Sequence, residues 1–414
     1  MESYTLERAV DWIHGARYQG QKNGLENTRA LLKELGNPQE SLKMVHVAGT
    51  NGKGSVCSMI ERVLRECGYK TGLYTSPYLC EYAERVRIDG VPMEDEALLA
   101  VILRVKDAAE MLVERGICPT AFELGTAIAF LAFKEAGVDY AVIEVGIGGR
   151  LDSTNVITPC ACAIAAIGID HTKTLGNTIE EIASEKAGII KPGIPVAIHP
   201  ANGRVMHVFE NAAAERGAHL DRVEMPEILS ENARGAAFCF RGEEYSIGLP
   251  GRYQIENAAL AIATLKLLGI TDQKALHAGI EKAKWHCRLE WVKGVLIDGA
   301  HNPQGAQMLA EFLEKHVSGK RTLVVGMMHD KDISECVPHF SRVADRVIAT
   351  QIDDPRAANA QELAEMFANA EAVPNVKAAI ETALADDSTV IVCGSLYLAG
   401  EARAILCPGE RLSL

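Results

Sequence analysis

Short runs rich in apolar and β-branched residues alternate along this chain with longer runs whose apolar positions recur at helical spacing. The short kind, "KMVHVAG" (43–49), "KTGLYTS" (70–76), "DYAVIEVG" (139–146), "CACAIAAIG" (160–168) and "IPVAIH" (194–199), reads as strands. The long kind predicts helices at roughly 53–67, 94–115, 121–136, 178–189 and 202–216. Strands alternating with crossover helices are the pattern of a parallel sheet, so a doubly wound α/β layout is expected.

The rhythm breaks around 235–249, where "GAAFCFRGEEYSIGLPG" begins and reads as a hairpin. Two helical stretches follow, "QIENAALAIATLKLLG" and "QKALHAGIEKAK". After about residue 293 the alternation restarts with "GVLIDGAH", "RTLVVGMM", "RVIATQI" and "TVIVCGS", each leading into a helical pattern. A chain of 414 residues exceeds what one hydrophobic core usually supports. Two domains are therefore expected, 1–293 and a smaller Rossmann-like α/β unit at 294–414.

Composition narrows the class. With 48% hydrophobic and 23% charged residues the chain has the balance of a soluble globular protein. A net charge of -13 argues against nucleic acid or an anionic membrane as partner, because either calls for a broad basic surface. The 11 cysteines are scattered singly apart from Cys160 and Cys162, with no CxxC pair, and read as reduced, mostly buried thiols of a cytoplasmic protein. The opening "MESYTLERAV" has the wrong composition for a signal peptide, and "LGTAIAFLAF" (124–133) is too short to span a bilayer.

"HVAGTNGKGSV" (46–56) carries the first chemistry. It departs from the common phosphate loop GxxxxGK[ST], since Gly49 and Gly52 are close together and Gly54 separates Lys53 from Ser55. A strand, a glycine turn and a helix start nevertheless gather backbone N–H groups and a helix dipole around one point, which favours a phosphate. Lys53 adds a full charge there, and Ser55 can cap the helix or ligate magnesium. Read alone, the same string is also a glycine-rich turn with a surface lysine.

The whole string "GTNGKGS" resembles the ATP loop of the Mur ligase superfamily, whose members join an amino acid to a carboxylate using ATP. Further strings narrow the resemblance to the folylpolyglutamate synthase and dihydrofolate synthase family: "GLENTRALLKELGNP" (24–38), "YTSPYL" (74–79), "ERVRIDG" (84–90), "FELGTAIAF" (122–130), "IEVGIGGRLDSTN" (143–155) and "GIDHTKTLG" (168–176). "IASEKAGIIKPG" (182–193), "GRYQIENAALA" (251–261), "RLE" (288–290), "DGAHNPQG" (298–305) and "GSLYLAGEAR" (394–403) continue in family order over nearly the full chain.

The resemblance implies that ATP lies on Thr50, Asn51, Gly52, Lys53, Gly54 and Ser55, with Asn257 near the base, Arg288 on phosphate and Asp298 on ribose or in the catalytic centre. It implies two magnesium sites served by Ser76, Glu144 and His171, with a carbamylated Lys186 in support. Carbamylation needs the neutral amine, which a desolvated setting supplies. His301 is expected at the glutamate or reacting centre beside Lys53, Lys186 and Asp298. Gly24, Leu25, Phe122, Glu123, Leu151, Asp152 and Ser153 are expected along the folate or pteroate. The substrates implied are folate or dihydropteroate, L-glutamate and ATP, acted on by a monomer.

Ordinary structural roles compete with several of these. Glu144 also reads as half of a buried salt bridge, Ser76 as a turn serine, His171 as a loop histidine and Lys186 as a solvated helix lysine. "DGAHNP" is equally a strand end turning into a helix started by Asn302 and Pro303. With the loop in one domain and "DGAH" in the other, the site is expected in a cleft between them, with a hinge near 284–295. Relatives often carry histidine after "SP" where this chain has Tyr78. Two alternatives remain, another Mur-type amide ligase or a catalytically silent nucleotide-binding protein.

Overall fold

The computed structural model describes residues 4–16 and 24–414. Its strands in chain order are β1 (Met44–Ala48), β2 (Thr71–Tyr74), β3 (Val86–Ile88), β4 (Val91–Pro92), β5 (Tyr140–Glu144), β6 (Ala161–Ile164), β7 (Val196–Ile198) and β8 (Leu220–Arg222). There follow β9 (Glu227–Asn232), β10 (Gly235–Phe240), β11 (Glu243–Ile247), β12 (Glu290–Val292), β13 (Val295–Ile297), β14 (Arg321–Val325), β15 (Arg346–Gln351), β16 (Ala370–Asn375) and β17 (Thr389–Cys393).

The first eight strands form one sheet in the order β4-β3-β2-β5-β1-β6-β7-β8. β2, β5, β1, β6, β7 and β8 run parallel, and β3 and β4 close one edge as an antiparallel pair. β1 and β6 are buried at every position, as central strands covered by helices on both faces require. The second sheet, β12-β13-β17-β14-β15-β16, is parallel except for β12. The α/β, mostly parallel architecture expected from the alternation is thus present twice.

Helix Lys53–Glu66 lies at the centre of the first core, with residues on all sides buried. Helix Gln273–Lys282 crosses it so closely that a Cβ added at Gly279 would stand 2.5 Å from Val63. Helix Arg252–Leu267 joins the same cluster, along with Phe238, Tyr245 and Ile247 of the small antiparallel sheet β11-β10-β9. No helix among the described residues is long and apolar enough to cross a membrane.

Two expectations change. The run 202–216 is not one helix: residues Pro200–Val205 form a 3-10 turn and the α-helix spans Met206–Glu215. The turn is pinned from within, since Asn202 Oδ1 accepts from Ile167 N (2.9 Å) and its Nδ2 donates to Ala165 O (3.0 Å). The hairpin gains a third strand, β9. Its sequence "EILSEN" is mostly exposed and offers no apolar run to read.

Candidate active site

The carboxyl edges of four adjacent strands, β2, β5, β1 and β6, deliver Ser76, Glu144, the loop 49–52 and residues 168–171 to one place. This is the edge where parallel α/β sheets carry ligands. Gly49 and Gly52 both have positive φ, +152° and +86°. A Cβ on Gly49 would stand 2.7 Å from that of Ala165, and one on Gly52 would strike the Asn257 amide. Thr50 N and Asn51 N donate to Ala166 O (2.8 and 3.1 Å), and Thr50 Oγ1 both donates to Gly168 O and accepts from Gly168 N (3.1 Å each). The turn therefore delivers the chain into helix Lys53–Glu66, whose first-turn N–H groups have no partner within the helix.

Behind the loop, Gln254 Nε2 donates to Ser55 Oγ (3.2 Å), and Asn257 Nδ2 donates to Gln254 Oε1 (3.1 Å). Gly54 packs directly against the Trp285 indole. Lys53 Nζ donates to Thr50 O (3.3 Å).

Glu144 is only 4% exposed at the end of β5 and accepts from Ser76 N (2.9 Å). Burial raises its pKa, opposed by the charge of Lys53, the Ser76 N–H, Arg288 and Arg85. Lys186 is equally buried, on helix Ile179–Ala187, and its Nζ donates to Gly49 O (2.8 Å). Burial, assisted by the Lys53 charge, lowers its pKa to about 7, so the solvated-lysine reading fails. His171 adopts a left-handed backbone (φ +52°) after β6 with its side chain 36% exposed. Burial lowers its pKa against the neighbouring Asp170 charge.

The second sheet faces this edge with its own. Asp298 follows β13; its two oxygens accept from Leu289 N (2.9 Å) and Ala300 N (2.8 Å), which anchors the turn carrying Arg288. Burial raises its pKa, with Arg288 opposing. His301 Nδ1 lies 2.8 Å from Gly299 O, and burial lowers its pKa to about 4. Asn302 caps helix Pro303–His316 through Gly305 N (2.8 Å), so "DGAHNP" is a helix start as well as part of the cavity wall. Between the two edges Asn51 Nδ2 donates to Gln304 Oε1 (2.7 Å), Asn302 Nδ2 donates to Asn51 Oδ1 (3.0 Å), and Lys331 Nζ pairs with Asp170 Oδ1 (2.9 Å).

A cavity of about 1010 Å³ occupies the space between the sheets. Of the residues expected at the site it is lined by Gly24, Thr50 to Ser55, Ser76, Phe122, Glu123, Glu144, Leu151, Asp152, Ser153, His171, Lys186, Arg288, Asp298 and His301. Leu25 and Asn257 are not in its wall; Asn257 supports the loop from behind through Gln254. Glu123 spends one carboxylate oxygen on Thr120 N (2.6 Å) in the capping box of helix Ala121–Ala136. Asp152 accepts from Ile147 N (3.0 Å) and Thr154 N (3.0 Å), shaping the loop after β5.

Sequence reasoning missed Asp170, Lys331, Arg85, Gln254 and Trp285 as site residues. Asp170 lay inside the quoted "GIDHTKTLG" and Arg85 inside "ERVRIDG". Lys331 and Trp285 carry no local signal, since only tertiary contact brings them in.

Among the described residues no three His, Cys, Asp or Glu side chains cluster as a closed metal cage. The donor set of Glu144 and the Ser76 hydroxyl beside the glycine loop and helix start suits magnesium, which takes one or two carboxylates and completes its shell with phosphate oxygens and water.

The chain matches the Mur ligase middle domain over residues 47–265 and the Mur ligase glutamate ligase domain over 287–396. It is 38% identical to the dihydrofolate synthase/folylpolyglutamate synthase of Bacillus subtilis, over 95% of this chain and 97% of that one. The folylpolyglutamate synthase of Lacticaseibacillus casei is 33% identical over 97% and 98%. Among solved structures, Mycobacterium tuberculosis folylpolyglutamate synthase complexed with ADP and AMPPCP superposes with a TM-score of 0.91 at 30% identity, covering 98% of this chain and 100% of that one. Escherichia coli FolC in complex with DHPP and ADP gives 0.87 at 31% identity, covering 97% and 98%. With both Mur ligase domains matched in order and full-length relatives above 30% identity, the chain belongs to the folylpolyglutamate synthase/dihydrofolate synthase family of Mur ligases, enzymes that form amide bonds with ATP.

Proposed function

We propose that this chain joins L-glutamate to the γ-carboxylate of folates, and to the carboxylate of dihydropteroate, through an acyl phosphate. The reaction turns a poor leaving oxygen into phosphate before the amine attacks, so three anions must be brought together and held. The observation that carries this reading is the shared cavity: a phosphate loop with Lys53, a buried Glu144 and the Asp298–His301 turn converge on one space between two sheets. Residues 1–293 then form the ATP-binding domain and 294–414 the glutamate ligase domain.

ATP lies with its phosphates on Thr50 to Ser55, and Lys53 balances the charge that moves with the transferred phosphoryl group. Arg288 contacts phosphate from the opposite face, Asp298 holds the Arg288 turn, and His301, held by Gly299 O, orients the incoming glutamate. Asn257 fixes the base side from behind the loop. Gly24, Leu25, Phe122, Glu123, Leu151, Asp152 and Ser153 bound the pterin and benzoyl side.

Ser76 and Glu144 would hold one magnesium ion, and His171 with Lys186 a second; when bound, the metal would supply positive charge against the phosphates. Lys186 is proposed to carry a carbamate, supported by its burial and its pKa of about 7, which leave a substantial neutral fraction near neutrality. The protein is proposed to act as a cytoplasmic monomer on these small molecules, with neither nucleic acid nor membrane as partner.

The test offers dihydropteroate and tetrahydrofolate separately with ATP, magnesium and glutamate. Glutamate-dependent ADP release is expected with both acceptors, and release with only one confines the reading to that acceptor. No release with either acceptor would overturn the reading.

A further inference from the structure

Arg85 stands in the cavity wall where the aromatic side meets the phosphate side. Its guanidinium carbon lies 5.3 Å from the Tyr78 ring centre and 5.6 Å from that of Tyr82. The two rings meet edge to face at 5.9 Å, so the guanidinium rests on a formed platform. The side chain is half-buried, reaches the Tyr74 hydroxyl, and is seen in no ion pair among the described residues. The half-buried side chain, with no carboxylate seen paired to it among the described residues, leaves a positive charge on the cavity wall that an entering anion can meet.

The other cations in the cavity wall, among the described residues, are engaged elsewhere. Lys331 pairs with Asp170 at 2.9 Å, and Arg356 forks onto Asp354 at 2.8 and 3.0 Å. Lys53 and Lys186 point at backbone carbonyls of the phosphate loop, and Arg288 donates to Cys287 O (3.1 Å) beside Asp298. Arg85 is the cation stacked on Tyr78 and Tyr82, and its charge is felt at Glu144. An acceptor with an aromatic body and a terminal carboxylate would reach across that junction. A planar fork of N–H donors matches a carboxylate, and each oxygen so held keeps a lone pair that can face the phosphate.

We propose that Arg85, stacked on Tyr78 and Tyr82, binds the acceptor carboxylate and aims it at the phosphoryl group of ATP. This rests on the folate-ligase reading and names the residue that reads the reacting acid. Tyr78 contributes by fixing the plane of the guanidinium, so the tyrosine found where relatives often have histidine acts on acceptor orientation rather than on phosphate chemistry.

The test compares binding of dihydropteroate and of its carboxamide, by calorimetry on the ADP-bound protein. Wild type should prefer the acid. In Arg85→Gln that preference should shrink by about tenfold to a hundredfold, the range for a charge-assisted hydrogen-bonded pair. Carboxamide and ADP affinities should stay unchanged. Arg85→Lys should fall between the two, keeping the charge but losing the fork, and it carries the comparison if the glutamine variant does not bind ADP. Preference for the acid retained in both variants, or equal weakening of acid and amide, overturns the assignment of Arg85. A wild-type protein that releases no ADP with any pterin acceptor instead overturns the underlying function, and the inference with it.

Discussion

In the proposed reaction Lys53 is the side chain whose charge is least replaceable. It sits at the first position of helix Lys53–Glu66, next to the glycine that starts it, so its charge adds to the helix dipole. Lys53→Ala should lower kcat/KM by about a hundredfold or more while leaving acceptor binding intact, as single-turnover kinetics and calorimetry would show. Lys186 makes a different prediction. Intact-protein mass spectrometry under bicarbonate should reveal one added carbamate that Lys186→Arg lacks, and activity lost in that variant should not return with bicarbonate. Two buried histidines, His46 and His199, and the half-buried His301 make a prediction about acid stability. Burial, with the Lys191 charge, lowers His46 to about 3, and burial lowers His199 and His301 to about 4. These folded values lie below the 6.5 of a free histidine, so between them the unfolded chain binds more protons. The stability they contribute is complete above about pH 6.5 and drains away as pH falls toward their folded values. A thermal midpoint measured from about pH 7 down to about pH 4 should fall, and His46→Gln should flatten part of that slope. Glutamine fits there because Thr154 Oγ1 donates to Asp152 Oδ1 (2.5 Å), leaving it to accept from the ring Nε2 at 2.9 Å.

At the scale of elements, the loop's shape comes from what is packed behind it. Helix Arg252–Leu267 supplies Gln254 and Asn257 against Ser55 and Gly52, and Trp285 fills the space over Gly54. Trp285→Ala should cost about 1–3 kcal/mol of stability, below the full cost of emptying a core site because the ring is partly exposed. It should also raise KM for ATP more than KM for the acceptor, since the loop is what relaxes. The elements most legible in the sequence were those buried on both faces: β1, β5 and β6 show apolar runs because helices cover both sides. The strands the alternation did not reveal were β3, β4, β8, β9, β12 and β16; β3, β4 and β12 have three residues or fewer, and β8, β9 and β16 are edge strands with no buried residue, β16 even containing Pro374. Helix Met206–Glu215 began later than its periodicity implied because Asn202 turns inward to hold the 165–167 loop.

Across the whole molecule, the two sheets present their carboxyl edges to one another, and Asp170 with Lys331, Asn302 and His301 ties them together. Burial opposes the charge on Asp170, but Lys331 and the neighbouring histidines outweigh it and hold its carboxyl well below the usual range. Lys331→Ala should loosen the closed arrangement by about 1–3 kcal/mol. Small-angle scattering should then record a larger radius of gyration, and ADP release in the absence of glutamate should rise as water reaches the acyl phosphate. An unchanged radius would count against the latch. The sequence by itself determined the alternation of strands and helices, the phosphate loop and the motifs that carry Glu144, Lys186 and Asp298, because those depend on local periodicity and on short contiguous strings. Only the tertiary structure decided that Lys186 is desolvated, that Asp298 anchors the Arg288 turn, and that Lys331, Trp285 and Arg85 stand at the site. Desolvation and ion pairing arise between segments far apart in the chain, and no local pattern encodes the distance at which they meet.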